Sequence, residues 1–66
     1  MNAATRKLTT ERQRQAKNLA RAIVQTHHRY VMGWMAKPTY RNHMAHLWAK
    51  VEDAGLQQQV LERVQR

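Results

Sequence analysis

No cysteine and no serine occur in this sequence, so it offers no disulfide, no thiolate metal site and no serine or cysteine nucleophile. Glycine is found twice and proline once, which excludes a glycine-rich phosphate loop and leaves few places where the chain can turn sharply. Acidic residues number only 4, too few for the paired carboxylates of acid–base catalysis, and a chain of 66 residues has little volume for a pocket. The expectation is a protein that is not an enzyme and has no cofactor. The longest nearly unbroken apolar run, Tyr30 to Ala36, is far shorter than the roughly 20 residues of a membrane-spanning helix. Residues 6–18 are almost wholly polar, which leaves no apolar segment for a secretory signal. The Arg-rich, acid-poor start has the composition of a transit peptide. Removing about 20 residues would leave too little chain for a domain, so the start reads as part of the working protein. Lack of cysteine fits a reducing cytoplasm, and a cytoplasmic protein without membrane association is expected.

Basic residues are abundant: 12 Lys and Arg against 4 Asp and Glu give a formal net charge of +8. A hydrophobic fraction of 42% sets the chain apart from a disordered polar tail. A single domain of this length buries a small core, and without a disulfide or metal staple helix packing or self-association must supply the burial. A helical homodimer is therefore expected.

The periodicity is helical throughout, with no strand-like alternation and no internal repeat. Residues 1–9 show no sustained period and read as a flexible basic arm, followed by one helical domain over 10–66. Thr10 and Gln13 have capping-box spacing, with Glu11 where a helix N-terminus favours negative charge. From there Ala16, Ala20, Ile23, His27, Val31 and Trp34 recur at steps of three and four, beside Val24 and Met35, describing one long amphipathic helix. Gly33 can end helix 1 or lie inside it, and Pro38 pushes the residue before it away from helical angles, so helix 1 is expected to end between Met32 and Ala36. Thr39 is placed to cap helix 2, whose apolar positions are Tyr40, Met44, Leu47, Trp48 and Val51. Leu56 and Val60 fall on the opposite side of an unbroken helix, so a break is expected at Gly55. A short helix 3 then buries Leu56, Val60, Leu61 and Val64. The fold class is all-α, with three helices.

Charge is concentrated at one end. Arg6, Lys7, Arg12, Arg14, Lys17 and Arg21 precede residue 22 against the single Glu11, whereas Glu52, Asp53 and Glu62 lie towards the C-terminus. Arg14, Lys17 and Arg21 occupy adjacent helical positions and form a basic strip. Like charges so spaced destabilise a lone helix by a few tenths of a kcal/mol per pair, which an anionic partner offsets. Phosphates suit the strip, because neutralising them releases condensed counterions and arginine can grip two oxygens at once. The expected function is that of a small nucleic-acid-binding regulatory protein that contacts phosphates through Arg6, Lys7, Arg12, Arg14, Lys17 and Arg21, whether of DNA or RNA. The alternative is an interaction module or inhibitor docking its helices on an acidic protein, using Met32, Met35, Met44 and the tryptophans.

Ile23, Val31, Trp34, Met35, Leu47 and Trp48 are the expected core or interface, with Trp34 and Trp48 sharing a hydrophobic centre across the Pro38 turn. His27 sits in the apolar stripe as a core or interface residue. His43 and His46, together with His27 or His28, have spacing conceivable for zinc, but no cysteine or neighbouring acid completes a ligand set, and no metal is expected. Around Gly55 the pattern partly fits a helix-turn-helix in which Gln57, Gln58, Gln59 and Arg63 would head the reading helix. It departs from that motif at Lys50 and Val51, and Glu52 and Asp53 bring negative charge. A glycine-terminated helix followed by a packed helix accounts for the same residues.

Overall fold

A computed structural model describes the backbone of residues 3–65 and side chains from Thr10 to Gln65. It holds three helices, α1 (Ala3–Val31), α2 (Lys37–Ala54) and α3 (Gln57–Val64), and no strand among the described residues. α1 starts ahead of the Thr10 cap that the sequence led us to expect. Ala3, Ala4, Arg6, Lys7 and Leu8 are all good helix formers, and extending an existing helix is far easier than nucleating one. With 29 residues, α1 is about 43 Å long, which accounts for the long axis of a molecule measuring 47 × 21 × 14 Å.

Both interhelical turns are built the same way, and both use glycine. At the end of α1 the Trp34 amide donates to the Arg29 carbonyl at 2.8 Å and the Gly33 amide to Tyr30 at 3.0 Å, with Gly33 at φ 80°. At the end of α2 the Leu56 amide donates to Val51 and the Gly55 amide to Glu52, both at 3.0 Å, with Gly55 at φ 68°. This paired pattern satisfies carbonyls that a helix end otherwise leaves open, and it requires a left-handed residue. Leu56 and Val51, the two residues joined by the longer-range bond of the second turn, are both buried. The turn is thus anchored in the core. Gly55→Ala is expected to cost about 1 kcal/mol. The cost is conformational, since an added Cβ would come no closer than 3.8 Å to another group, the Arg12 side chain. Denaturant unfolding of the variant checks this, and an unchanged midpoint would contradict it.

Thr39 does not cap α2. The helix begins earlier, with Ala36 in extended conformation at the N-cap position, no side-chain capping bond, and Pro38 in the first turn. Proline fits there because its missing amide proton is one a first turn leaves unpaired anyway. Thr39→Ala should therefore change stability by less than about 0.5 kcal/mol, where loss of a capping threonine would cost about 1 kcal/mol.

The core consists of Ala16, Ala20 and Ile23 of α1, Val51 of α2, Leu56 and Val60, with Leu19, Met44, Leu47, Trp48, Ala54 and Val64 packed around it. Ala16 and Ala20 are small, which lets α3 approach α1 closely; larger residues there would hold the axes apart. α2 runs back along α1 until Gly55 reaches Arg12, and α3 then returns alongside α1 until Val64 meets Val24 and His27. Thr26 is a buried polar residue of α1, and its hydroxyl donates to the Ala22 carbonyl at 2.7 Å, so its burial leaves the hydroxyl paired.

Several expected core positions lie elsewhere. Leu61 is 43% exposed and Val31 65% exposed, so neither joins the intrachain core. Leu61 falls on the outer side of a short helix whose inner side is filled by Leu56, Val60 and Val64, and Val31 lies past the end of α3. Trp34 does not share a centre with Trp48: it is 68% exposed and meets the His28 ring edge-on at 5.8 Å. The glycine turn places it after the helix, outside the stripe that an uninterrupted α1 would have continued. His27 is exposed too, sharing a 3.1 Å hydrogen bond with the Tyr40 hydroxyl, while Tyr40 stacks on Tyr30 at 4.2 Å. These rings fasten the α1–α2 hairpin beside its connecting turn.

Candidate nucleic-acid interface

At 100° per residue, the side of α1 opposite Ala16, Ile23 and Tyr30 carries Arg14, Asn18, Arg21 and Gln25, with Lys17 beside them. All of these are exposed. Arg14, Lys17 and Arg21 thus share one solvent-facing strip, with neighbours three and four apart lying about 5–6 Å from one another at Cβ.

The other helices frame that strip. On the α2 side, Lys50 lines a shallow groove with Glu11, Arg14, Asn18 and Leu47. On the α3 side, Arg63 lines another with Lys17, Ala20, Arg21 and Gln25. Lys50 and Arg63 were not part of the strip read from the sequence. In the sequence Lys50 stands out only as a departure from a helix-turn-helix pattern, and Arg63 only as part of one. Their place beside α1 follows from the way α2 and α3 fold back. Among the described residues no ion pair neutralises Arg14, Lys17, Arg21, Lys50 or Arg63.

Arg12 stands apart from the strip. Its guanidinium donates to the Gly55 carbonyl at 3.4 Å, at the C-terminal end of α2 where a positive charge meets the helix dipole favourably. It faces Ala16, Leu56 and Gln59, the side of α1 turned towards α3. Arg6 and Lys7 lie on the backbone of α1, and their side chains fall outside the described residues. Of the expected core or interface set, Ile23 is buried, Met35, Leu47 and Trp48 are half-buried, and Val31 and Trp34 are exposed.

Comparison with known protein families, with curated proteins and with solved structures finds no match to this chain. The chemistry of the strip has to be read from its residues. Arginine presents a planar fork of donors that matches phosphate or a guanine edge, and lysine a mobile point charge. Arg14 and Arg21 stand seven residues apart, about 10 Å along the helix. His43 and His46 are exposed on α2, and among the described residues no three His, Asp or Glu side chains are grouped to hold a metal ion. No helix among the described residues is long and apolar enough to cross a membrane.

Proposed function

We propose that this chain is a nucleic-acid-binding regulatory protein without catalytic activity, acting through the cationic face of α1. The observation that carries the proposal is the framed strip. Arg14, Lys17 and Arg21 are exposed on one helix face, with Lys50 and Arg63 brought to its two edges by different helices. Such a cluster repels itself in the free protein and gains most from a polyanion, whose counterions it displaces. The test is fluorescence-anisotropy titration with duplex DNA, single-stranded DNA and hairpin RNA at about 50 and 200 mM salt. Micromolar or tighter binding that persists at the higher salt is expected. Weak binding to every form, lost at the higher salt, would reduce the strip to general charge attraction.

We further propose that the working form is a homodimer joined through the exposed apolar group at the end of α1. Val31, Met32 and Trp34 are 65%, 52% and 68% exposed, an unusual concentration for so small a monomer. They lie beyond the C-terminal end of the strip, so pairing there leaves both cationic faces open and doubles the charge presented to one nucleic acid. Trp34→Ala is expected to shift the protein from dimer to monomer in sedimentation velocity with no loss of helical content. A wild-type protein that sediments as a monomer at high micromolar concentration would rule the dimer out.

A second reading draws on the same group: docking of Trp34, Met32 and Val31 on an acidic partner protein, with the cations as steering charge. Substitution separates the two readings. Removing Arg14, Lys17 and Arg21 weakens nucleic-acid binding most, whereas Trp34→Ala weakens a helix-docking interface most.

A further inference from the structure

We infer that α1 is a reading helix for the major groove of duplex DNA, with Lys50 and Arg63 as the phosphate contacts on its two sides, an inference that rests on the nucleic-acid reading above. The geometry is that of a helix standing in front of two others. Lys50 comes to one edge of α1 beside Arg14 and Asn18, and Arg63 comes to the other beside Lys17, Arg21 and Gln25. A helix with its side chains is about 10–12 Å across, and the B-DNA major groove is about 12 Å wide between its phosphate walls. Seating α1 in that groove brings the cations of α2 and α3 to opposite walls, a match that a single charged face would not provide.

The side chains between these two cations are of base-reading type. Arg14, Asn18, Arg21 and Gln25 follow one another at steps of four, three and four along a single exposed ridge. Arginine pairs with guanine edges in the major groove, and asparagine and glutamine pair with adenine. No apolar or acidic residue interrupts the ridge. Glu11, one turn before Arg14 at the α2 edge, places a carboxylate where phosphate would be repelled and so marks one end of the seat. From Arg14 to Gln25 the ridge covers about 16 Å, the rise of about five base pairs.

Other forms of nucleic acid fit less well. The major groove of A-form RNA is too deep and narrow for a helix, and a single strand lacks the second phosphate wall that the Lys50–Arg63 bracket requires. Single strands are usually held by stacking on aromatic rings, but Trp48 is half-buried against the core and Trp34 is beyond the end of the ridge. α3 is the poorer reading helix. Its exposed Gln57, Gln58 and Gln59 come soon after Glu52 and Asp53, and Glu62 follows within the helix.

The test uses the full chain and anisotropy titrations over a salt series with duplex DNA, duplex RNA and single-stranded DNA of matched sequence. A further duplex DNA carries bulky glucosylated hydroxymethylcytosines that fill the major groove. Unmodified duplex DNA is expected to bind about tenfold or more tighter than the other three. The Lys50→Ala/Arg63→Ala pair should make the slope of log affinity against log salt shallower by about 2, because two phosphates are no longer neutralised, while circular dichroism stays that of the folded protein. Equal affinity for duplex RNA or single strands, indifference to the filled groove, or an unchanged slope would each overturn the major-groove assignment while leaving nucleic-acid binding standing. No binding to any form at low salt would overturn both.

Discussion

Ile23→Ala is expected to destabilise the protein by about 3 kcal/mol, from the 2–5 kcal/mol usual for truncating a fully buried aliphatic side chain. Ile23 is 2% exposed and is the largest core residue that α1 contributes, since Ala16 and Ala20 are already minimal. Val51 of α2 and Val60 of α3 are already fully buried, so refilling the hole would fall to the half-buried Met44 and Trp48 beside it. A domain of this size has a total stability of roughly 3–10 kcal/mol, so the loss is a large share of the whole. At about 4–8 °C per kcal/mol the melting temperature should fall by roughly 12–24 °C, measured by far-UV circular dichroism at one fixed protein concentration. A shift of only a few degrees would mean that the helices are held by something other than this core.

Replacing Arg14, Lys17 and Arg21 together with alanine should do the reverse, leaving the fold intact and removing the binding. Each cation is expected to contribute about 1 kcal/mol to association, so affinity for nucleic acid should drop roughly a hundredfold, and the salt slope should become shallower by about one for each phosphate left unneutralised. Stability should stay level or rise by a few tenths of a kcal/mol. The substitutions relieve repulsion between neighbouring like charges and introduce alanine, the best helix former, at exposed positions. Loss of binding with no loss of melting temperature is the pattern that identifies a binding face. A drop in affinity accompanied by unfolding would instead place these residues in the structure, and an unchanged affinity would remove them from the site. Because Arg12 is engaged with the Gly55 carbonyl, Arg12→Ala alone should cost less affinity than any one of the three.

Helix count and turn positions could be read from the sequence because they depend on near neighbours. Gly33 and Gly55 supply the left-handed conformations that end α1 and α2, whereas Pro38 lies in the first turn of α2 and the residue before it, Lys37, is already helical, the extended residue being Ala36. The steps of three and four through Ala16, Ala20 and Ile23 located the buried face of α1, since helical phase is a local property. The same phase, carried past Gly33, put Trp34 in the core. Once the backbone turns there the phase no longer applies, and Trp34 comes out 68% exposed. Thr39 had the right chemistry for a cap, but α2 starts at Lys37, a difference that depends on how the turn joins the hairpin rather than on the threonine.

The placement of charge divides in the same way. That Arg14, Lys17 and Arg21 share a face is a matter of helical period and was determined by the sequence alone. That Lys50 and Arg63 stand on either side of that face was decided only by the tertiary structure. It depends on α2 returning along one flank of α1 and α3 along the other, with Ala16 and Ala20 small enough to admit α3. Periodicity assigns each residue to a side of its own helix. Which sides of different helices come together is settled by the volumes packed between them.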